Sequence, residues 1–156
     1  MYGPLMPSLC YSDAHAAIRW LEEAFGFRPH LVVPGPGDTV MHSQLVCDEP
    51  ACIVMVYTRR DEDHGGQGRP PAELGGTTQG LYLVVSDLAA HHARAAAAGA
   101  EIVVPLTAQD YGGECYTCRD PEGHVWSFGS YDPRAGLGGA NSDPSKSPGT
   151  CPTGSQ

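Results

Sequence analysis

The residues able to do chemistry in this 156-residue chain include seven histidines and six cysteines, and their spacing decides how few can act together. Cys115 and Cys118 form a C-x-x-C, a spacing that often marks a metal or redox site. Here it falls in a run with strand character, where residues three apart point to opposite faces, so the two thiols are not expected to meet. His15 is expected on the polar side of a first helix, and His91 and His92 in solvent on a second. His64 lies in a connector, and His124 follows a turn and is expected to be structural. His42 differs. In Val40-Met41-His42-Ser43-Gln44-Leu45, strand alternation puts His42 and Gln44 on one face. That face either lines a ligand cavity or is simply exposed. In the first case His42 is the candidate general base or hydrogen-bonding contact.

The elements that must position these groups form an internal repeat. The chain reads S-D-A-H-A-A-I-R-W-L-E-E-A-F-G from Ser12 and S-D-L-A-A-H-H-A-R-A-A-A-A-G from Ser86, so Asp13 matches Asp87, 74 residues on. Ser12/Asp13 and Ser86/Asp87 are N-cap residue types, and Gly26 and Gly99 suit the left-handed position that ends a helix. Ala17, Trp20, Leu21, Ala24 and Phe25 form one apolar stripe at helical spacing. Strands are expected at Leu5 to Tyr11 and Gly80 to Val85 ahead of the helices. Three more follow each helix: Pro29 to Val33, Val40 to Cys47 and Ala51 to Tyr57, then Glu101 to Leu106, Glu114 to Arg119 and His124 to Ser130. The pattern is βαβββ twice, hence α+β with mixed sheets.

One domain is expected over residues 1–133: a first module at about 4–58, a connector at 59–78 and a second module at about 79–133. The connector is rich in Gly, Pro and acidic residues and has no periodicity, so it is a linker or a loop over a pocket. Residues 134–156, rich in Gly, Ser and Pro, are expected to be a disordered tail. A net charge of −9 argues against nucleic acid and anionic membrane as partners. No apolar run is long enough to span a bilayer and no signal peptide is evident at the start, so a cytoplasmic location with free thiols is expected.

The pieces D-A-x-A-A-I-x-W-L-x-x-A-F-G-F (Asp13 to Phe27), A-x-A-A-G-A (Ala95 to Ala100), Tyr111-Gly112 and R-D-P-E-G-H-x-W-S-F-G-x-Y (Arg119 to Tyr131) resemble the vicinal oxygen chelate superfamily of glyoxalases, bleomycin resistance proteins and extradiol dioxygenases, in its PhnB-like branch. The resemblance implies paired modules curling eight strands around a cavity, commonly in a homodimer. In metal-dependent members, His, Glu or Gln ligands project from the first and last strands of each module. Aligned on helix caps and turns, those four places hold Met6, Met55, Gly80 and Ser127. A thioether, a missing side chain and one hydroxyl do not hold a borderline divalent ion. A divalent metal is thus the family's alternative, and no cofactor is expected.

The resulting expectation is metal-independent binding or sequestration of a small, largely apolar molecule. Its lining would be Met6, Ser8, Cys10, His42, Gln44, Met55, Tyr57, Tyr82, Tyr111 and Ser127. The rival expectation is an enzyme, a lyase, isomerase or dioxygenase, with His42 catalytic through an unconventional metal site or metal-free acid–base chemistry. Trp126 and Phe128 are expected in the core, and the turn Arg119 to Gly123 is expected to serve turn geometry and a local ion pair.

Overall fold

A computed structural model describes residues 5–48, 51–61 and 68–135. The elements run β1 (Ser8–Tyr11), α1 (Ala14–Phe25), β2 (Arg28–Pro34), β3 (Val40–Cys47), β4 (Cys52–Thr58), α2 (Pro71–Leu74), β5 (Gly80–Val84), α3 (Leu88–Ala97), β6 (Glu101–Ala108), β7 (Glu114–Arg119) and β8 (Val125–Gly129). They form two four-stranded sheets, β1-β4-β3-β2 and β5-β8-β7-β6, each with one parallel pair and two antiparallel ones. The doubled βαβββ architecture follows the repeat. The eight strands remain two separate sheets, not closed upon each other.

Both long helices start on the expected caps. The Asp13 carboxylate accepts from the Ala16 amide (2.9 Å) and the Asp87 carboxylate from the Ala90 amide (3.0 Å). Each cap satisfies one otherwise orphaned donor and is worth about 1 kcal/mol. Gly26 ends α1 with φ of 77°, and a β-carbon there would collide with the Arg94 guanidinium. Any other residue at position 26 would meet both strain and a clash.

The helices form a layer shared by the two modules. Leu21, Ala24 and Phe25 of α1 are buried in one core with Leu45, Val54 and Val56 of the first sheet and Tyr116, Trp126 and Phe128 of the second. Phe25 packs against Trp126 and Phe128, with ring centroids 5.1 and 4.7 Å apart. Two side-chain bonds tie the helices together reciprocally: Trp20 Nε1 donates to the Ala98 carbonyl (2.8 Å) and Arg94 Nε to the Ala24 carbonyl (3.2 Å). Trp20 and Arg94 are repeat equivalents, as are Ala24 and Ala98. The repeat is therefore a pseudo-twofold contact between α1 and α3.

Three local expectations change. The connector contains the short helix α2, which four residues are too few to reveal as periodicity; its Ala72 amide donates to the Glu122 carbonyl (3.0 Å) and Glu73 pairs with Arg59 (2.9 Å). Residues 62–67, with His64, lie outside the described residues, as does the expected tail beyond Ala135. His91 is buried rather than solvated, with its Nδ1 2.7 Å from the Tyr116 hydroxyl. Alanine-rich α3 has too weak a stripe to show that its His91 faces inward.

The turn after β7 makes no local ion pair. Arg119 pairs with Glu101 across the β6–β7 ladder (3.0 Å), while Asp120 is buried and accepts from the Tyr11 hydroxyl (2.6 Å), Trp126 Nε1 (3.0 Å) and the Glu122 and His124 amides. Glu122 in turn accepts from the Ser12 and Asp13 amides (2.6 and 3.1 Å), ahead of α1. The turn joins the second module to the first.

Candidate open-face site

Each sheet has one face against the helices and one turned away. Strand alternation puts Leu9, Tyr11, Leu45, Val54 and Val56 inward and Ser8, Cys10, His42, Gln44, Met55 and Tyr57 outward. The ladder pairs Ser8 with Met55, Cys10 with Tyr57 and Gln44 with Met55, so these outward residues are lateral neighbours. On the second sheet Gly80, Tyr82, Ser127, Thr117 and Cys115 face outward, with Tyr82 paired to Ser127 and Ser127 to Thr117. The pairs Ser8–Met55 and Tyr82–Ser127 are repeat equivalents, which places Met6 and Gly80 correspondingly one step back along β1 and β5.

The ten expected lining residues thus divide between two surfaces. Met6, Ser8, Cys10, His42, Gln44, Met55 and Tyr57 belong to the first sheet's open face, and Tyr82 and Ser127 to the second. Tyr111 sits in the β6–β7 turn, 62% exposed, edge-on to Tyr131. The backbones of the two modules approach most closely between α1 and α3, and the open faces of the two sheets are not laid against each other. Met6 and Tyr82 are consequently exposed, at 42% and 41%.

The polar groups of the open faces are mostly engaged. The Gln44 amide donates to His42 Nε2 (3.3 Å), which occupies the lone pair a general base would use. The Ser127 and Thr117 hydroxyls lie 2.9 Å apart, and the Tyr82 hydroxyl donates to the Tyr131 carbonyl (2.8 Å). Tyr82 leans over Gly129, where a β-carbon would strike its ring. Burial pushes the Cys10 thiol up to about 11, beside the Tyr57 hydroxyl, so Cys10 is a neutral thiol at physiological pH.

A cavity of about 250 Å³ opens where the first sheet meets the connector. Ser8, Cys10 and Tyr57 form its sheet side, and Arg69, Leu74 and Thr77 are among the connector residues that cover it. His124 closes its floor, its Nε2 donating to the Cys10 carbonyl (2.9 Å). Of the two sequence readings of the connector, a linker or a loop over a pocket, its wall here matches the second, while which surface it covers was not legible. Its irregular backbone carries no pattern that says which surface it crosses.

Met6, Met55, Gly80 and Ser127 are the residues that the resemblance sets at the places of the family's metal ligands. Among the described residues no three His, Cys, Asp or Glu side chains come together as a metal site. Two thioethers, a glycine and one hydroxyl do not fit a borderline divalent ion.

Cys115 is half-buried on the open face and Cys118 fully buried in the core, so the C-x-x-C pair stands on opposite sides of β7. Trp126 and Phe128 are buried against α1 and α3. No helix among the described residues is long and apolar enough to cross a membrane.

A sequence profile of the Glyoxalase/Bleomycin resistance protein/Dioxygenase superfamily matches residues 4–128. An uncharacterized protein of Mycobacterium bovis is 35% identical over 125 residues, 80% of this chain and 81% of the relative. The crystal structure of TioX from a Micromonospora species superposes with a TM-score of 0.64 at 35% identity, over 82% of this chain and 98% of that one. The fosfomycin resistance protein FosX of Listeria monocytogenes, at 11% identity, shares the fold (TM-score 0.61, over 86% of this chain and 97% of that one). The chain belongs to the glyoxalase/bleomycin resistance protein/dioxygenase superfamily, the vicinal oxygen chelate proteins.

Proposed function

We propose that the protein binds and sequesters a small, largely apolar molecule on the open faces of its sheets, without a divalent ion in the family's usual position. The observation that carries this reading is the composition of the open faces at the ligand-bearing places. Thioethers at Met6 and Met55 adapt their shape to an apolar body. Gln44, Tyr57 and Tyr82 supply a few hydrogen-bonding groups to orient it, the usual division of labour in a binding pocket. The long motifs at Asp13 to Phe27 and Arg119 to Tyr131 support the PhnB-like branch within the family.

A second copy of the chain would complete the site. Apart from the part under the connector, one chain leaves the open faces facing solvent, and Met6, Leu31, Tyr82 and Val104 are each more than 40% exposed. Covering such surface is worth roughly 25 cal/mol per Å². Pairing the first module of one copy with the second module of another would enclose a ligand between them.

The test uses anilinonaphthalenesulfonate, a fluorescent apolar anion, titrated into the full chain. Met55→Glu should weaken its binding at least about tenfold, roughly 1.4 kcal/mol, with the circular dichroism unchanged. Val103→Glu, at an exposed position of β6 in the other module, should leave binding as it was. Equal loss in both variants would remove the open face as the site.

Catalysis by His42 is the second reading, favoured only by its place on the same face. It requires that His42→Ala abolish turnover of a substrate which the folded parent converts. Retained turnover would end it.

A further inference from the structure

We infer that Cys47 and Cys52 form a cross-strand dithiol that closes to a disulfide when a low-molecular-weight disulfide oxidises it. The two residues are the last directly paired positions of the β3–β4 ladder, and only residues 48–51 separate them. Directly opposed residues of an antiparallel pair have Cα atoms about 4.5 or 5.5 Å apart, according to the hydrogen-bonding class of the pair. Both values fall inside the range of roughly 4.4–6.8 Å that a disulfide spans. Ladder partners also project to the same face, here the side of Leu45 and Val54. The thiols are close enough for one to hydrogen-bond the other.

Both residues are half-buried and reachable. They line one cavity of about 410 Å³ together with Leu5 and Met6, and Cys47 also borders a cleft of about 610 Å³ between the modules. The other described cysteines lack this arrangement. Cys10 is paired with Tyr57, Cys115 with Thr107 and Gly129, and Cys118 with Ile102 and Trp126. The C-x-x-C that draws attention in the sequence is therefore the wrong pair, because its members share a strand and face apart.

The reaction is thiol–disulfide exchange. One thiol loses its proton and its sulfur attacks a sulfur of the small disulfide, forming a mixed disulfide and releasing one small thiolate. The second cysteine, also deprotonated, attacks the protein sulfur of that adduct and releases the other. One S–S bond is made and one broken, two electrons pass to the oxidant, and the two protons end on the released thiols. Burial and the neighbouring Cys47 push the Cys52 thiol up to about 11, so exchange quickens as pH rises above neutrality. The closed bond would pin the hairpin end beside Met6, independently of whether the open faces bind a ligand.

The experiment incubates the reduced full chain with glutathione disulfide, traps remaining thiols with N-ethylmaleimide and maps the peptides. A Cys47–Cys52 linked peptide is expected, with the titratable thiol count falling by two from the six of the chain. Cys52→Ser should lose the link and instead hold glutathione on Cys47. Thermal melting of the parent, oxidised against reduced, gives a readout that needs no variant: the linked form should melt higher. Alkylation of both cysteines after oxidation of a folded protein would overturn the inference. So would glutathione held stably on both, or a bond to any other cysteine.

Discussion

The seam between the two modules is bridged by hydrogen bonds at one end, the sealed end, and open at the other, although the repeat makes the two ends equivalents. At the sealed end Tyr11 donates to the buried Asp120 and the Ser12 and Asp13 amides donate to Glu122, beside a smaller cavity of about 180 Å³ that Trp20 and Pro121 help to line. At the open end the matching positions are Val85, Asp87 and Arg94, and they border the cleft of about 610 Å³ with Cys47 and Asp48. Valine at 85 has no hydroxyl to give Asp48, whose carboxylate turns instead to exposed Arg28 (3.3 Å). His91 borders the open end where α1 carries Ala17. Duplicated backbone is thus compatible with very different contacts; single side chains decide which end closes.

That contrast is most sharply broken at Asp120. Asp120→Ala leaves the buried Tyr11 hydroxyl and Trp126 indole without their acceptor, and should cost about 2–5 kcal/mol in urea unfolding, at about 1–3 kcal/mol for each buried donor left unsatisfied. A cost under about 1 kcal/mol would mean that the sealed end does not hold the modules together.

The open end should show its weakness in acid. Burial, and next Arg94, lower the His91 imidazole from 6.5 to about 4 in the folded chain. The unfolded chain therefore binds the extra proton first, and stability present above about pH 6.5 is lost as pH falls toward 4. The loss from this one group is of order 3 kcal/mol at most. Melting across that window should show the loss in the parent and a flatter profile in His91→Gln; identical slopes would remove His91 as its source.

Smaller effects compare the two turns. Glu122→Ala frees the Ser12 and Asp13 amides ahead of α1 and should cost about 1 kcal/mol, as caps do. Asp48→Ala removes only an exposed ion pair and should cost less than about 0.5 kcal/mol, read from the same urea midpoints. A reversal of that order would mean that the open end contributes more than its contacts indicate.

Periodicity and caps made the fold legible. Asp13, Asp87, Gly26 and the apolar stripe of α1 act through local geometry, and local geometry is what a sequence displays. The candidate site was legible at the level of faces: alternation put His42 and Gln44 on one side of β3, where the ladder sets Met55 beside Gln44. What was not legible depends on partners distant in sequence. Tyr11 reaches Asp120, 109 positions away, and nothing in either segment announces the other. The division of the open-face residues between two separate sheets was equally hidden, since alternation gives a face but not what that face meets. The Cys47–Cys52 pairing needed the hairpin register, whereas Cys115 and Cys118 shared a motif and proved to face apart.

The most direct test of a ligand site built on Met6, Met55, Gly80 and Ser127 is the metal content of the full chain, purified without chelators and measured by inductively coupled plasma mass spectrometry. Zinc, nickel, iron and manganese should each stand far below one ion per chain. One tightly held ion per chain that survives dialysis would contradict the metal-independent reading and move the search to a ligand set outside these four positions.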